Sequence, residues 1–145
     1  MKRVLITGAT GFIGRQCLPL LIEQGYEVHA ATIEQPSPEL PDVRWHQMDL
    51  LDASQTQRLV ESVAPSHLLH FAWYTAPSKY WSAPENLRWV QASLELLRDF
   101  VRAGGQRVVM AGTCAEYDSD YGYCSELTTP LYPRTLYGTS KHALH

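Results

Sequence analysis

A chain of 145 residues, 45% hydrophobic and 19% charged, carries enough apolar side chain for one substantial core and is too short for two full domains. Its net charge of -3, with Lys and Arg scattered along the chain, excludes the electrostatic footprint of a nucleic-acid or anionic-membrane binder and points to a small-molecule partner. Cys17, Cys114 and Cys124 are odd in number and lack C-x-x-C spacing, which sets aside a disulfide framework or zinc knuckle and fits a reducing cytoplasm.

Met1-Lys2-Arg3 leads into an apolar run too short for a signal peptide or a membrane span. Val4-Leu5-Ile6, ended by Thr7-Gly8, reads as a strand buried on both faces of a parallel sheet. A glycine turn then opens a helix over residues 12–24, with Phe12, Ile13, Cys17, Leu20 and Leu21 at helical spacing, Pro19 as a candidate kink and Gly25 as a stop. Residues 27–32 form a second strand, and Pro36, Pro38 and Pro41 make the stretch that follows a surface loop. A third strand over 43–48, a helix over 51–63 and a buried strand over 67–72 come next, then an aromatic loop over 73–83. Pro84 suits a first helical position, and Leu87, Val90, Leu94, Leu97 and Val101 mark one apolar face of a long helix ended by Gly104-Gly105. Residues 107–111 make a fifth strand. Strands alternating with helices imply right-handed βαβ units, hence an α/β fold with a Rossmann-like, doubly wound parallel sheet.

Gly8-Ala9-Thr10-Gly11-Phe12-Ile13-Gly14 sets three glycines between a strand and a helix. The first permits a tight turn, the second lets backbone approach a pyrophosphate, and the third allows close helix–strand packing, with the anion at the helix N-terminus. Far downstream, Tyr137-Gly138-Thr139-Ser140-Lys141 spaces a phenol and an ammonium at i and i+4, so that both point from one helical face. The ammonium is then expected near the phenol, bringing a phenol of ordinary pKa about 10 toward acid–base strength at neutral pH.

The T-G-x-x-G-x-x-G and Y-x-x-x-K motifs, in this order, resemble the short-chain dehydrogenase/reductase superfamily. The extended, nucleotide-sugar-modifying branch is the better match. Gln47-Met48-Asp49-Leu50 resembles its D-L stretch after the third strand, which implies that Asp49 reads the adenine amine with support from the Leu50 amide. His70-Phe71-Ala72-Trp73 resembles the stretch that lines the cofactor after the fourth strand, and Asn86-Leu87 resembles the opening of the next helix, a match that decays at Trp89, Val90 and Ala92. The position after the fifth strand offers Thr113, four residues before Tyr117, as the hydroxyl that positions the substrate oxygen. The resemblance thus implies a catalytic set of Thr113, Tyr137 and Lys141. The implied cofactor set is Gly8, Gly11, Phe12, Ile13, Gly14, Arg15, Thr32, Asp49, Leu50, Phe71, Ala72 and Trp73, joined by Tyr137 and Lys141. Residues 1–145 read as the NAD(P)-binding domain, without the last strands and the substrate domain of the branch.

Two departures narrow the expectation. Thr32 stands where NAD-specific members carry an acid at the end of the second strand. A 2′-phosphate is not repelled there and Arg15 is placed to pair with it, so the cofactor is NAD or NADP with an inclination to NADP. Arg15 reads equally as a solvated helix residue, and Glu34 lies near enough to replace the missing acid. Cys114 and Ala115 occupy the positions where the branch's 4,6-dehydratases carry Asp-Glu, and neither handles the proton and water transfer of an elimination. What remains is hydride chemistry of the 4-epimerase or 4-ketoreductase type on a nucleotide-linked sugar.

His67 with His70, and His142 with His145, show H-x-x-H spacing but read as structural, because no carboxylate or thiol completes a four-ligand set; no metal is expected. Trp73, Tyr74, Tyr80 and Trp81 read either as a wall over the nicotinamide or sugar, or as a loop packed on the next helix. The branch's members continue past the Y-x-x-x-K helix. The chain is therefore expected to be part of a longer protein or to take the missing layer from a partner, including a homo-oligomer, and to turn over nucleotide-sugars weakly or not at all alone. A non-catalytic dinucleotide-binding module is the second reading.

Overall fold

The computed structural model describes residues 2–35 and 40–145. In chain order the elements are β1 (Arg3–Thr7), α1 (Gly14–Glu23), β2 (Glu27–Thr32), β3 (Val43–Gln47), α2 (Ala53–Val63), β4 (His67–His70), α3 (Glu85–Arg102), β5 (Arg107–Met110) and α4 (Leu136–His142), with short 3-10 turns at Cys114–Glu116 and Ser119–Tyr121. The chain divides into two compact units, residues 1–72 with 95–111, and residues 73–94 with 112–145.

The first unit holds the sheet, five parallel strands in the order β3-β2-β1-β4-β5. Because strand side chains alternate between faces, Val4 and Ile6 of β1 pack with Leu18, Val28, Ala30 and Val43, while Leu5 packs with Leu59, Val60, Leu68, Leu96 and Phe100. Helices cover both faces, which is why β1 is an unbroken apolar run. Each such Leu or Ile, fully buried, contributes about 1.5–3 kcal/mol relative to exposure. β5 lies at the sheet edge, and its Val108 and Val109 stay partly exposed.

The doubly wound parallel sheet is the architecture expected; the strand expected over 67–72 ends at His70, and the larger differences lie in the helices. α1 starts at Gly14, two residues later than the pattern suggests, and Phe12 (80% exposed) and Ile13 (53%) belong to the glycine turn. Its inner face is Gly14 and Leu18, flanked by Cys17, Leu21 and Ile22, while Leu20 is exposed. α3 departs further. Leu87, Leu94 and Val101, expected on its apolar face, are exposed, whereas Asn86, Ser93, Leu96 and Phe100 are buried. The buried face carries polar residues whose hydrogen bonds are met locally: the Asn86 amide donates to the Tyr80 and Ala83 carbonyls, and the Ser93 hydroxyl donates to the Trp89 carbonyl. Part of the proline loop, residues 36–39, lies outside the described residues.

α2 is started by Asp52, whose carboxylate accepts hydrogen bonds from the Ser54 and Gln55 backbone N–H groups. The Ser54 hydroxyl and the Gln55 side-chain amide add to these and hold Asp52 down at about 2. In the second unit, α4 is capped by Thr135, whose hydroxyl accepts from the Gly138 N–H, and Arg134 pairs with Asp118 and Asp120.

Candidate active site

In the first unit the glycine turn is built from backbone. Gly8 has φ +66, and a Cβ there would lie 2.7 Å from the Ala72 nitrogen. That combination of positive φ and close approach admits only glycine. At Gly14 a Cβ would run into the Gly8 carbonyl and the Ala9 Cα, so α1 packs directly on the turn. Gly11 is exposed; its N–H closes the turn onto the Gly8 carbonyl at 3.0 Å, and its carbonyl accepts the Arg15 N–H. Ile13 occupies the N-cap of α1 without a side-chain hydrogen bond, and in the first turn the Arg15 and Gln16 N–H groups donate to the Gly11 and Ile13 carbonyls. Phe12 and Ile13 lie on the surface of the glycine turn, and the Arg15 guanidinium rests 5.7 Å from the Phe12 ring centroid.

The other proposed cofactor contacts of this unit sit at the C-terminal ends of β2, β3 and β4. Thr32 is buried; its hydroxyl accepts the Glu34 N–H at 3.0 Å and lies 3.5 Å from the Thr10 hydroxyl, tying β2 to the glycine turn. Glu34 itself is exposed. Asp49 accepts the Leu51 N–H and is half-buried, while Leu50 packs on the core. Phe71 donates its N–H to the Thr7 carbonyl, and Ala72 donates to the Thr7 hydroxyl. Thr7 in turn pairs with His70 Nδ1 at 2.7 Å, both residues being buried.

The second unit brings Thr113, Tyr137, Lys141 and Trp73 together. Thr113 opens the Cys114–Glu116 turn with a capping box: its hydroxyl accepts from Ala115, and the Glu116 carboxylate accepts the Thr113 N–H at 2.8 Å. α4 approaches this turn through Gly138, where a Cβ would meet the Ala115 carbonyl oxygen. Tyr137 is held edge-on by Tyr80 and Trp81, with ring centroids 4.8 and 5.8 Å away, and its N–H donates to the Trp81 carbonyl. Burial pushes the Tyr137 phenol above 10, and the hydrogen bond with Thr113 acts in the opposite sense. Lys141 is buried, and its ammonium lies 4.3 Å from the Trp73 ring centroid. Burial lowers its pKa, against an upward pull from Glu116. The expectation that Lys141 lowers the phenol is thus corrected in this state: desolvation dominates Tyr137, and the ammonium is placed on an indole.

Residues 4–145 match the NAD dependent epimerase/dehydratase family. The chain belongs to this family. It is 30% identical to a GDP-mannose 4,6-dehydratase of Yersinia enterocolitica, covering 97% of this chain and 43% of that protein. It is 29% identical to a dTDP-6-deoxy-L-talose 4-dehydrogenase (NAD(+)) of Aggregatibacter actinomycetemcomitans, covering 97% of this chain and 52% of that one. Among solved structures, a Thermus thermophilus UDP-glucose 4-epimerase in complex with NAD superposes with a TM-score of 0.81 at 28% identity, over 97% of this chain and 48% of that one. The chain spans about half the length of these relatives.

For a member of the epimerase/dehydratase family, sequence reasoning overlooked three supports. Thr7 and His70 fix the backbone at 71–72 beside Gly8, and their only sequence signal was polar residues inside apolar strands. Asn86 accepts the Trp73 indole N–H at 2.8 Å and locks the ring on which Lys141 rests. Gly138 sits inside the Y-x-x-x-K motif as a packing requirement.

Proposed function

We propose that this chain binds a nicotinamide dinucleotide and contributes to hydride chemistry at a hydroxyl or ketone carbon of a nucleotide-linked sugar, of the 4-epimerase or 4-ketoreductase type. The observation that carries the reading is the convergence of Thr113, Tyr137 and Lys141 beside a turn that holds Cys114 and Ala115. The cofactor, when bound, supplies and accepts the hydride. Gly8, Gly11 and Gly14 seat its pyrophosphate, Asp49 and Leu50 the adenine, and Phe71, Ala72 and Trp73 line its path. Thr113 and the Tyr137 phenol hold the substrate oxygen, and Tyr137 passes the proton to and from it. Lys141 serves the ribose and the charge that develops on the phenol.

The 4,6-dehydratase of Yersinia enterocolitica is 30% identical to the chain, but elimination of water needs an acid and a base beside the threonine. A thiol and a methyl group at Cys114 and Ala115 favour the reaction without elimination. Thr32 lets the site accept a 2′-phosphate, with the exposed Arg15 available to it, so NADP is admitted beside the NAD of the solved relative. The three free cysteines fit a reducing cytoplasm, and among the described residues no helix is long and apolar enough to cross a membrane.

The test is Tyr137→Phe in the protein that carries this chain. Turnover of a nucleotide-sugar should fall by about 10²–10⁴-fold with cofactor affinity nearly unchanged, because the proton donor is lost and the ring kept. Wild-type turnover in that variant contradicts the assignment. Dinucleotide binding without turnover of any nucleotide-sugar by the wild-type protein leaves a binding module instead.

A further inference from the structure

His142 and His145 have a partner that their own spacing does not reveal. His142 closes α4, and the chain continues the helical turn beyond it, with the Leu144 N–H donating to Lys141 and the His145 N–H to His142, so the two imidazoles share one face. Facing them is Glu116, from the 3-10 turn after β5. Glu116 Oε1 is committed to the Thr113 N–H, which fixes the carboxylate. Oε2 lies 3.3 Å from His145 Nδ1 and 3.7 Å from His142 Nδ1. One ligand atom from each of the three residues can be chosen so that all lie within 4.8 Å of one another.

A hydrogen bond between His145 and Glu116 accounts for one of these approaches. It leaves His142 Nδ1 buried and, among the described residues, without a hydrogen-bond partner. An orphaned ring nitrogen aimed at a carboxylate 3% exposed is costly unless a cation sits between them. Bonds of about 2.0–2.2 Å to zinc place tetrahedral ligands about 3.4 Å apart, which the two carboxylate–imidazole separations bracket, all three ligand atoms lying within 4.8 Å of one another. Two imidazoles and one carboxylate select a borderline transition metal over magnesium or calcium, which take all-oxygen sets. The His145 side chain is 67% exposed, so the fourth position opens to water.

We propose that Glu116, His142 and His145 bind one divalent transition-metal ion of the zinc type, and that the ion ties the turn carrying Thr113 to the helix carrying Tyr137 and Lys141. The site does not depend on the dinucleotide chemistry. No bond of a substrate is made or broken there; the ion takes the Nδ1 lone pairs of the two neutral imidazoles, each keeping its proton on Nε2, and closes the unmet nitrogen.

The experiment titrates zinc ion into tag-free, chelator-stripped protein against a competing indicator, with cobalt(II) absorption as the spectroscopic readout. One equivalent should bind, cobalt should give the intense visible bands of tetrahedral coordination, and His142→Asn and His145→Ala should each weaken binding at least about tenfold. His145 is on the surface, so its removal leaves the fold intact. Glu116 also caps the Thr113 turn, and its replacement is not needed for the decision. In the sheet, His29 Nδ1 lies 2.9 Å from His46 Nε2; His46→Asn should leave zinc affinity unchanged, which separates the Glu116 cluster from that pair. Absence of stoichiometric binding, undiminished affinity in either His142→Asn or His145→Ala, or loss confined to His46→Asn each overturns the proposal.

Discussion

The two units place their functional groups by different means. In the first, backbone defines the site: Gly8 at φ +66 against Ala72, Gly14 against Gly8, and Thr7 bonded to both Ala72 and His70. In the second, side chains hold one another: Tyr80 and Trp81 around Tyr137, Trp73 under Lys141, Asn86 on Trp73, and Glu116 on Thr113. A backbone-built site fails when atoms are added, because peptide groups in a sheet cannot give way. A site built of side chains fails when a polar partner is removed and its mate is left unsatisfied.

Adding atoms to the first unit should have the largest effect on stability. Gly14→Val drives methyl groups into the Gly8 carbonyl and should destabilise the protein by about 3 kcal/mol, read as a lower urea midpoint, and should abolish dinucleotide binding. A variant with the wild-type midpoint would mean that the turn yields, and the contrast between the units would be lost. Removing a partner in the second unit comes next. Asn86→Ala leaves the Trp73 indole N–H and the Tyr80 carbonyl without their bonds, the Ala83 carbonyl keeping the backbone N–H of residue 86, and should cost about 1–3 kcal/mol, with indole fluorescence shifted as Trp73 is released. An unchanged spectrum would show that Asn86 does not hold the ring.

The smallest effect concerns pH and sharpens the comparison, because it belongs to side chains in the backbone-dominated unit. His29 Nδ1 lies 2.9 Å from His46 Nε2, with the rings stacked, and His29 also reaches Glu27, which Arg44 joins. Burial holds both histidines below their ordinary 6.5; Glu27 pulls His29 upward, but less strongly than burial lowers it. As pH falls below about 6.5 the unfolded chain therefore takes up protons before the folded chain does. Stability should be full above that pH and decline from there toward the folded-state values. Urea midpoints at pH 7.5 and 5.5 measure the decline, and His46→Gln should reduce it; a midpoint that rises on acidification contradicts the assignment of neutral, buried rings.

The first unit was largely legible in the sequence because its signals are local. An unbroken apolar strand, a glycine turn and a helix stop name β1, α1 and their junction without knowledge of the rest. The start of α1 was misjudged because Phe12 and Ile13 are apolar, and periodicity alone does not separate an exposed glycine turn from a first helical turn. The second unit was legible only at Thr113, Tyr137 and Lys141. Its supports are polar residues satisfied by tertiary partners: Asn86 and Ser93 occupy the buried face of α3, so hydrophobic spacing selected Leu87, Leu94 and Val101 instead. The Y-x-x-x-K spacing pairs Tyr137 with Lys141 but says nothing of Tyr80 and Trp81, whose burial of the ring raises the phenol. In the same way H-x-x-H names His142 and His145, and only folding supplies Glu116.

Calorimetric titration of the folded protein with NAD(H) and NADP(H) tests the central claim most directly. Saturable binding of at least one dinucleotide is predicted, lost in Gly11→Val, whose Cβ would lie 3.1 Å from the Gly8 carbonyl oxygen in the turn proposed to receive the pyrophosphate. Well-folded protein that binds neither dinucleotide, or a Gly11→Val variant that binds as tightly as the wild type, would contradict it.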